Sequence, residues 1–198
     1  MGSMKKFLNL ILAISFILSS QVCFAADEDF EVMKKEVVVL YNTNRVKEAY
    51  QMISKIPEAK RDSEIWLLAA NITEDYGRDL DATYLLEKAI SVDPMNYKAY
   101  YNLGNLQLKG KKFYSAIMSY NKCLKIKKDF PYAWYNLGNA YLALDEYSRA
   151  KTAFMRAVSF KTSEPDFYYN LAYTYKKLKN NKQAEKMLEI YNTLIEQK

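Results

Sequence analysis

The sequence predicts an all-α solenoid built from about five helix-turn-helix units. Three observations carry that reading. Small and apolar residues recur at a fixed step along the chain. Only 5 glycines and 4 prolines occur in 198 residues, which disfavours a turn-rich β-sandwich and favours helices. Half of the residues are hydrophobic, enough for one continuous core in a single domain.

The clearest unit begins at Trp134 and runs to Ala157. Leu137, Gly138 and Tyr141 form a stripe on one helix, and Ala150, Phe154 and Ala157 form one on the next. Gly138 and Ala150 are small where the two helices approach. One such hairpin leaves an apolar face uncovered, so it requires neighbours. One step back from Trp134, Leu137, Gly138, Ala150 and Phe154 lie Tyr100, Leu103, Gly104, Ala116 and Tyr120. One step forward lie Tyr168, Leu171, Ala172, Ala184 and Leu188. Two steps back lie Trp66, Ala69, Ala70, Ala82 and Leu86.

In chain order, the first unit pairs about Phe30–Tyr41 with Arg45–Ile56 across Asn42, Thr43 and Asn44. Its first helix carries the β-branched run Val37, Val38, Val39, which is unfavourable for a helix. Ala49 stands closer to Ala82 than a full step, so a single residue is missing near Pro57. The second unit pairs Glu64–Tyr76 with Leu80–Val92 across Gly77. The third pairs Tyr97–Lys109 with Phe113–Lys127 across Gly110. The fourth pairs Tyr132–Ala143 with Tyr147–Phe160 across a polar loop at Asp145. The fifth pairs Asp166–Leu178 with Lys182–Glu196. Pro94 and Pro165 mark unit boundaries, because proline is tolerated at a helix start and not inside one.

A 34-residue period with Trp-x2-Leu-Gly-x2-Tyr, followed by Ala, an aromatic and Ala, resembles the tetratricopeptide repeat family over residues 29–198. The resemblance implies a right-handed superhelix whose concave face is lined by the first helices. It implies partner-binding positions at Tyr101, Asn102 and Asn105, at Tyr135, Asn136 and Asn139, and at Tyr169, Asn170 and Tyr173, with Asn71 as the equivalent in the second unit. Amides that both donate and accept suit an extended peptide, and tyrosine adds flat area with a polar tip. The alternative is that these residues hold adjacent units together. Lys98 occupies one position of the family's carboxylate clamp, yet tyrosines replace the other lysines and no arginine lines the groove. That departure argues against capture of an acidic C-terminus.

At the N-terminus, Met1, Gly2 and Ser3 read as an expression scar before Met4. Lys5 and Lys6 precede the apolar run Phe7–Leu18, and Cys23 and Ala25 are small residues before a cut at Ala26. Residues 1–25 are thus expected to be scar and signal peptide, and 26–198 the solenoid domain. Export to a periplasmic or other extracytoplasmic space follows. The alternative is an uncleaved helix anchoring an assembly factor at the inner membrane, although the run is short of the ~20 residues that span a bilayer.

No histidine occurs, which removes the commonest general base and imidazole metal ligand. No phosphate loop or metal-ligand spacing appears, so no catalytic residue, cofactor or metal is expected, and the protein reads as a non-enzymatic interaction scaffold. Cys123, alone after leader removal, sits at a core position and reads as a small hydrophobe rather than a redox thiol. Asn71, Ile72 and Thr73 form a glycosylation sequon inside a predicted helix, where it carries little weight.

Charge is uneven. Residues 26–97 hold 15 acids and 9 bases, a net of −6, and residues 98–198 hold 8 acids and 18 bases, a net of +10. The expected partner is a protein or peptide. Nucleic acid is not expected, for want of a recognition motif. The N-terminal segment and the basic clusters leave a membrane contact open. In the last helix, Ala184, Leu188, Tyr191 and Ile195 are expected to face inward. Met187, Ile190 and Leu194 are then the candidates for an exposed patch that leaves a homodimer, or docking of a partner's helix, open.

Overall fold

The structure is a computed structural model that describes residues 29–197. The expected scar, leader and cleavage site lie outside those residues. Among the described residues ten α-helices follow one another, and no strand occurs. They are α1 (29–42), α2 (Val46–Lys55), α3 (Ser63–Asp75), α4 (Asp79–Val92) and α5 (Tyr97–Lys109). Then come α6 (Phe113–Ile126), α7 (Pro131–Ala143), α8 (Tyr147–Phe160), α9 (Pro165–Lys177) and α10 (Asn181–Glu196). A 3-10 turn, Glu58–Lys60, joins α2 to α3. Consecutive helices pack as five antiparallel hairpins, and each hairpin packs on the next to give a right-handed α-solenoid.

Every hairpin turns on the same backbone device. Asn44, Gly77, Lys111, Asp145 and Lys179 all have φ between 57° and 73°. The spacing from Gly77 onward is uniform, and the step from Asn44 to Gly77 is shorter by a single residue. The amide after each left-handed residue reaches back five positions. Arg45 N–H donates to Leu40 O at 2.8 Å, Lys112 N–H to Gln107 O at 2.8 Å, and Asn180 N–H to Tyr175 O at 2.9 Å. This bond closes the carbonyls that a helix C-terminus leaves open. The sequence placed the third turn on Gly110, but Gly110 is the last-turn residue with φ −76°, and Lys111 takes the left-handed conformation. The reason is register: the turn position is set by where the helix must stop to fold back, and the glycine lies one residue early.

Proline opens α7 and α9, where its missing N–H costs no helical bond. Asp62, Asn96 and Asn180 cap α3, α5 and α10 through their side-chain oxygens. The core is a row of joints rather than a centre. Ala49, Ile53 and Ile56, from α2 and its C-terminal end, meet Ile65, Ala69 and Ile72 of α3. Ala82, Leu86 and Ala89 of α4 meet Ala99, Leu103 and Leu106 of α5. Ala116, Tyr120 and Cys123 of α6 meet Ala133, Leu137 and Ala140 of α7. Ala150 and Phe154 of α8 meet Leu171 of α9. Each fully buried Leu, Ile or Phe contributes about 1.5–3 kcal/mol.

The last helix departs from the expected register. Leu188 and Ile195 are exposed, while Met187 is half-buried and packs with Phe154 and Leu171. Ile190 and Leu194 are also half-buried. Leu188 occupies the repeat position of Phe154, which is fully buried. Leu188 is uncovered because no sixth unit lies over it among the described residues.

Candidate functional site: the inner wall of the first helices

The first helices α3, α5, α7 and α9 lie side by side, and amides bridge them in turn. Asn102 Nδ2 donates to Asn71 Oδ1 at 2.6 Å. Asn136 Nδ2 donates to Asn105 Oδ1 at 2.8 Å and approaches the Tyr101 hydroxyl at 3.3 Å. Asn170 Nδ2 donates to Asn139 Oδ1 at 2.8 Å and to the Tyr135 hydroxyl at 3.0 Å. Asn139 Nδ2 stands 3.5 Å from Asn136 Oδ1. The Tyr120 hydroxyl, inside the α5–α6 hairpin, donates to Asn105 Oδ1 at 2.9 Å. Most of the sequence-predicted wall residues therefore bond across unit boundaries, and their first use is to hold each unit to the next. No buried side-chain nitrogen or oxygen among the described residues is left without a partner.

Tyr169 and Tyr173 are placed differently. They occupy the positions of Tyr135 and Asn139 in the last unit, and they are 50 % and 45 % exposed. Tyr169 leans on Tyr191 at 5.3 Å, and Lys177 sits 5.3 Å over the Tyr173 ring. Lys98 is exposed on α5, as expected of a clamp position, but no second lysine or arginine accompanies it on the neighbouring wall positions. Met187, Ile190 and Leu194 lie on the far end and take no part in this wall.

A second series of side chains, absent from the sequence reading, runs along the same edge. Phe130 packs edge-on against Tyr97 at 5.5 Å and Tyr101 at 4.9 Å. Phe167 packs against Tyr132 at 5.9 Å and stacks on Tyr135 at 4.7 Å. Phe130 and Phe167 are not separated by a whole repeat. Two non-equivalent positions thus fill equivalent gaps, and periodicity cannot reveal them. Lys161 lies over the Tyr132 ring at 4.7 Å, bonds its hydroxyl, and pairs with Glu164 at 2.5 Å.

Burial sets the electrostatics of the wall. Burial holds the Tyr101 and Tyr135 hydroxyls above the ordinary phenol range, so both stay protonated donors. Burial likewise raises Glu74 at the α3 end, against the pull of Lys109. Cys123 is fully buried and its thiol is pushed up to about 12 by burial, which leaves it unreactive at neutral pH. The sequon is closed: Ile72 and Thr73 are buried, and Thr73 Oγ1 donates to Ala69 O at 2.7 Å. Among the described residues no three potential metal ligands converge, and no helix is long and apolar enough to cross a membrane.

Two family models match the chain. One described as a TPR repeat covers residues 109–145, and one described as a tetratricopeptide repeat covers 131–163 and 165–189. No curated protein matches in sequence. Among solved structures, MamA from Desulfovibrio magneticus RS-1 aligns over 85 % of this chain and 96 % of its own, with a TM-score of 0.75 and 17 % identity. A MamA described as AMB-1 aligns over 84 % and 99 %, with a TM-score of 0.74 and 19 % identity. MamA described as MSR-1 aligns over 83 % and 95 %, with a TM-score of 0.71 and 22 % identity. Residues 109–163 and 165–189 are thus tetratricopeptide repeats, and the same period and left-handed turn recur in the other hairpins of the described residues.

Proposed function

We propose that the protein is a non-enzymatic scaffold of the bacterial cell envelope that holds an extended peptide or a partner's segment along the inner wall of α5, α7 and α9. One observation carries the reading: the wall is locked in place by its own inter-unit hydrogen bonds, while Tyr169 and Tyr173 at its end remain half exposed. A wall already ordered loses little entropy on binding. Half-exposed tyrosines offer flat apolar area with a hydroxyl tip. The repeats and the fold support an interaction scaffold in general. The groove and the envelope location are our extension of it.

The test is a photo-crosslinker placed at position 173 in envelope fractions, followed by calorimetry of the captured segment against purified protein. Tyr169→Ala/Tyr173→Ala should weaken binding at least ~10-fold, equivalent to about 1.4 kcal/mol. Tyr84→Ala/Tyr114→Ala, on the exposed face of α4 and α6, should leave it unchanged. Equal affinity in the first variant refutes the groove. Mass spectrometry of the mature N-terminus separates the export readings: a chain starting at Ala26 supports release, and an intact leader supports the inner-membrane anchor.

A further inference from the structure

We infer that the two ends of the solenoid fit one another, so that α10 of one copy docks head to tail on α1 of the next. Repeat position defines the fit. At every joint inside the chain, two positions of a first helix bury against the preceding unit. The earlier of them is Ile65, Ala99, Ala133 and Phe167, all buried. The later is Ile72, Leu106, Ala140 and Thr174, all buried. The left-handed turns at Asn44 and Gly77 fix the offset between the first unit and the second. By that offset the same two positions of α1 are Val32 and Val39, and each is 59 % exposed. At the other end, Leu86, Tyr120 and Phe154 fill the matching place on the second helices and are buried. Their equivalent on α10, Leu188, is 39 % exposed.

The uncovered half-joint on α10 and the uncovered half-joint on α1 are thus the two halves of the contact that already repeats within the chain. A second copy supplies the missing half with the correct shape. One residue weakens the fit. Glu36 stands where Ala69, Leu103, Leu137 and Leu171 are buried, so a carboxylate must be desolvated in the joint. The association is therefore weak and concentration-dependent. Because the two surfaces differ, it is open-ended rather than a closed dimer. None of these residues belongs to the inner wall, so this inference and the groove reading stand or fall separately.

Sedimentation velocity of the purified full chain, from about 1 µM to about 1 mM, tests it. Wild type should grow progressively in mass with concentration. Val32→Glu/Val39→Glu and Leu188→Glu should each be monomeric, because each destroys one end. Mixed together they should form a dimer that goes no further, because each retains the end the other lacks. Glu36→Leu should shift association to at least ~10-fold lower concentration. Thermal melts confirm that the variants fold, and the wild-type series stands without them. A wild type that stays monomeric overturns the inference. So does a closed wild-type dimer, association that survives both end variants, or a loss of association that Leu188→Glu alone produces.

Discussion

Gly138 lies so close to the Phe154 ring that a Cβ built on it would stand 2.5 Å from Cε1. Gly104 stands in the same relation to Tyr120, at 2.6 Å. In the last unit Ala172 takes the glycine's place and Leu188 the aromatic's, so the pair has changed together. Gly138→Ala should therefore cost ~1–3 kcal/mol by overpacking. Gly138→Ala/Phe154→Leu should recover part of that loss, since the smaller side chain restores the room. Urea unfolding of the two single variants and the double measures the coupling.

The bridging amides give a graded prediction. Asn105 Oδ1 receives both Asn136 Nδ2 and the buried Tyr120 hydroxyl. Asn105→Ala strands that hydroxyl and should cost about 2–4 kcal/mol, one lost bond plus one unsatisfied buried donor. Asn71→Ala removes a single acceptor in the second unit and should cost about 1 kcal/mol. Adding Tyr120→Phe to Asn105→Ala should reduce its cost, because the stranded donor is gone. Chemical denaturation with matched m-values decides between these outcomes.

The turn residues predict stabilisation as well as loss. Lys111 and Lys179 hold φ of 58° and 59°, a conformation that costs an L-residue roughly 1–2 kcal/mol. Lys111→Gly and Lys179→Gly should each stabilise by up to ~1 kcal/mol after glycine's own entropy cost of about 0.5–1 kcal/mol. Gly77→Ala should do the reverse, and by backbone strain alone, because nothing lies within 4 Å of the added carbon. Paired thermal melts of the three variants give the sign.

Cys123 links stability to pH. Its thiol is raised by burial from an ordinary value of 9.0 to about 12. Folding thus favours the protonated form, and that contribution is complete below pH 9. Between pH 9 and pH 12 the unfolded chain ionises first and stability falls. Cys123→Ala should flatten that part of the decline. Burial also raises Tyr101, Tyr135 and Tyr168, so a residual slope of the same sign should remain. At about pH 8, below the ordinary thiol range, a thiol reagent should label Cys123 only as fast as the native fold opens.

The hairpins were legible because a regular period needs only apolar and small residues to declare itself, and helix ends fell close to those of the structure. The short first unit was legible from Ala49 and Ala82 alone. Three features were not. Gly110 drew the turn to itself, although a backbone bond network and not a side chain selects Lys111. In α10 neighbouring positions are both apolar, so the stripe could be drawn through Met187 or Leu188, and only the missing neighbour decides. The wall residues could be placed on one helix face from the sequence, but the pairing of each amide with its partner cannot be read from one unit. The sequence left open whether the asparagines bind a partner or hold adjacent units together, and the bonds across units show the second use.

Asn102 and Asn71, Asn136 and Asn105, and Asn170 and Asn139 are each separated by the same stretch of chain. Each rung asks the same thing of the unit before it and offers the same thing to the unit after it. A gene segment encoding one whole unit could be copied in frame between α6 and α7, and the inserted asparagines would find donors and acceptors already waiting on both sides. A segment of another length has to absorb the difference in a loop, as the short first unit does near Pro57. Evolution can therefore lengthen or shorten this protein in whole repeats at small cost.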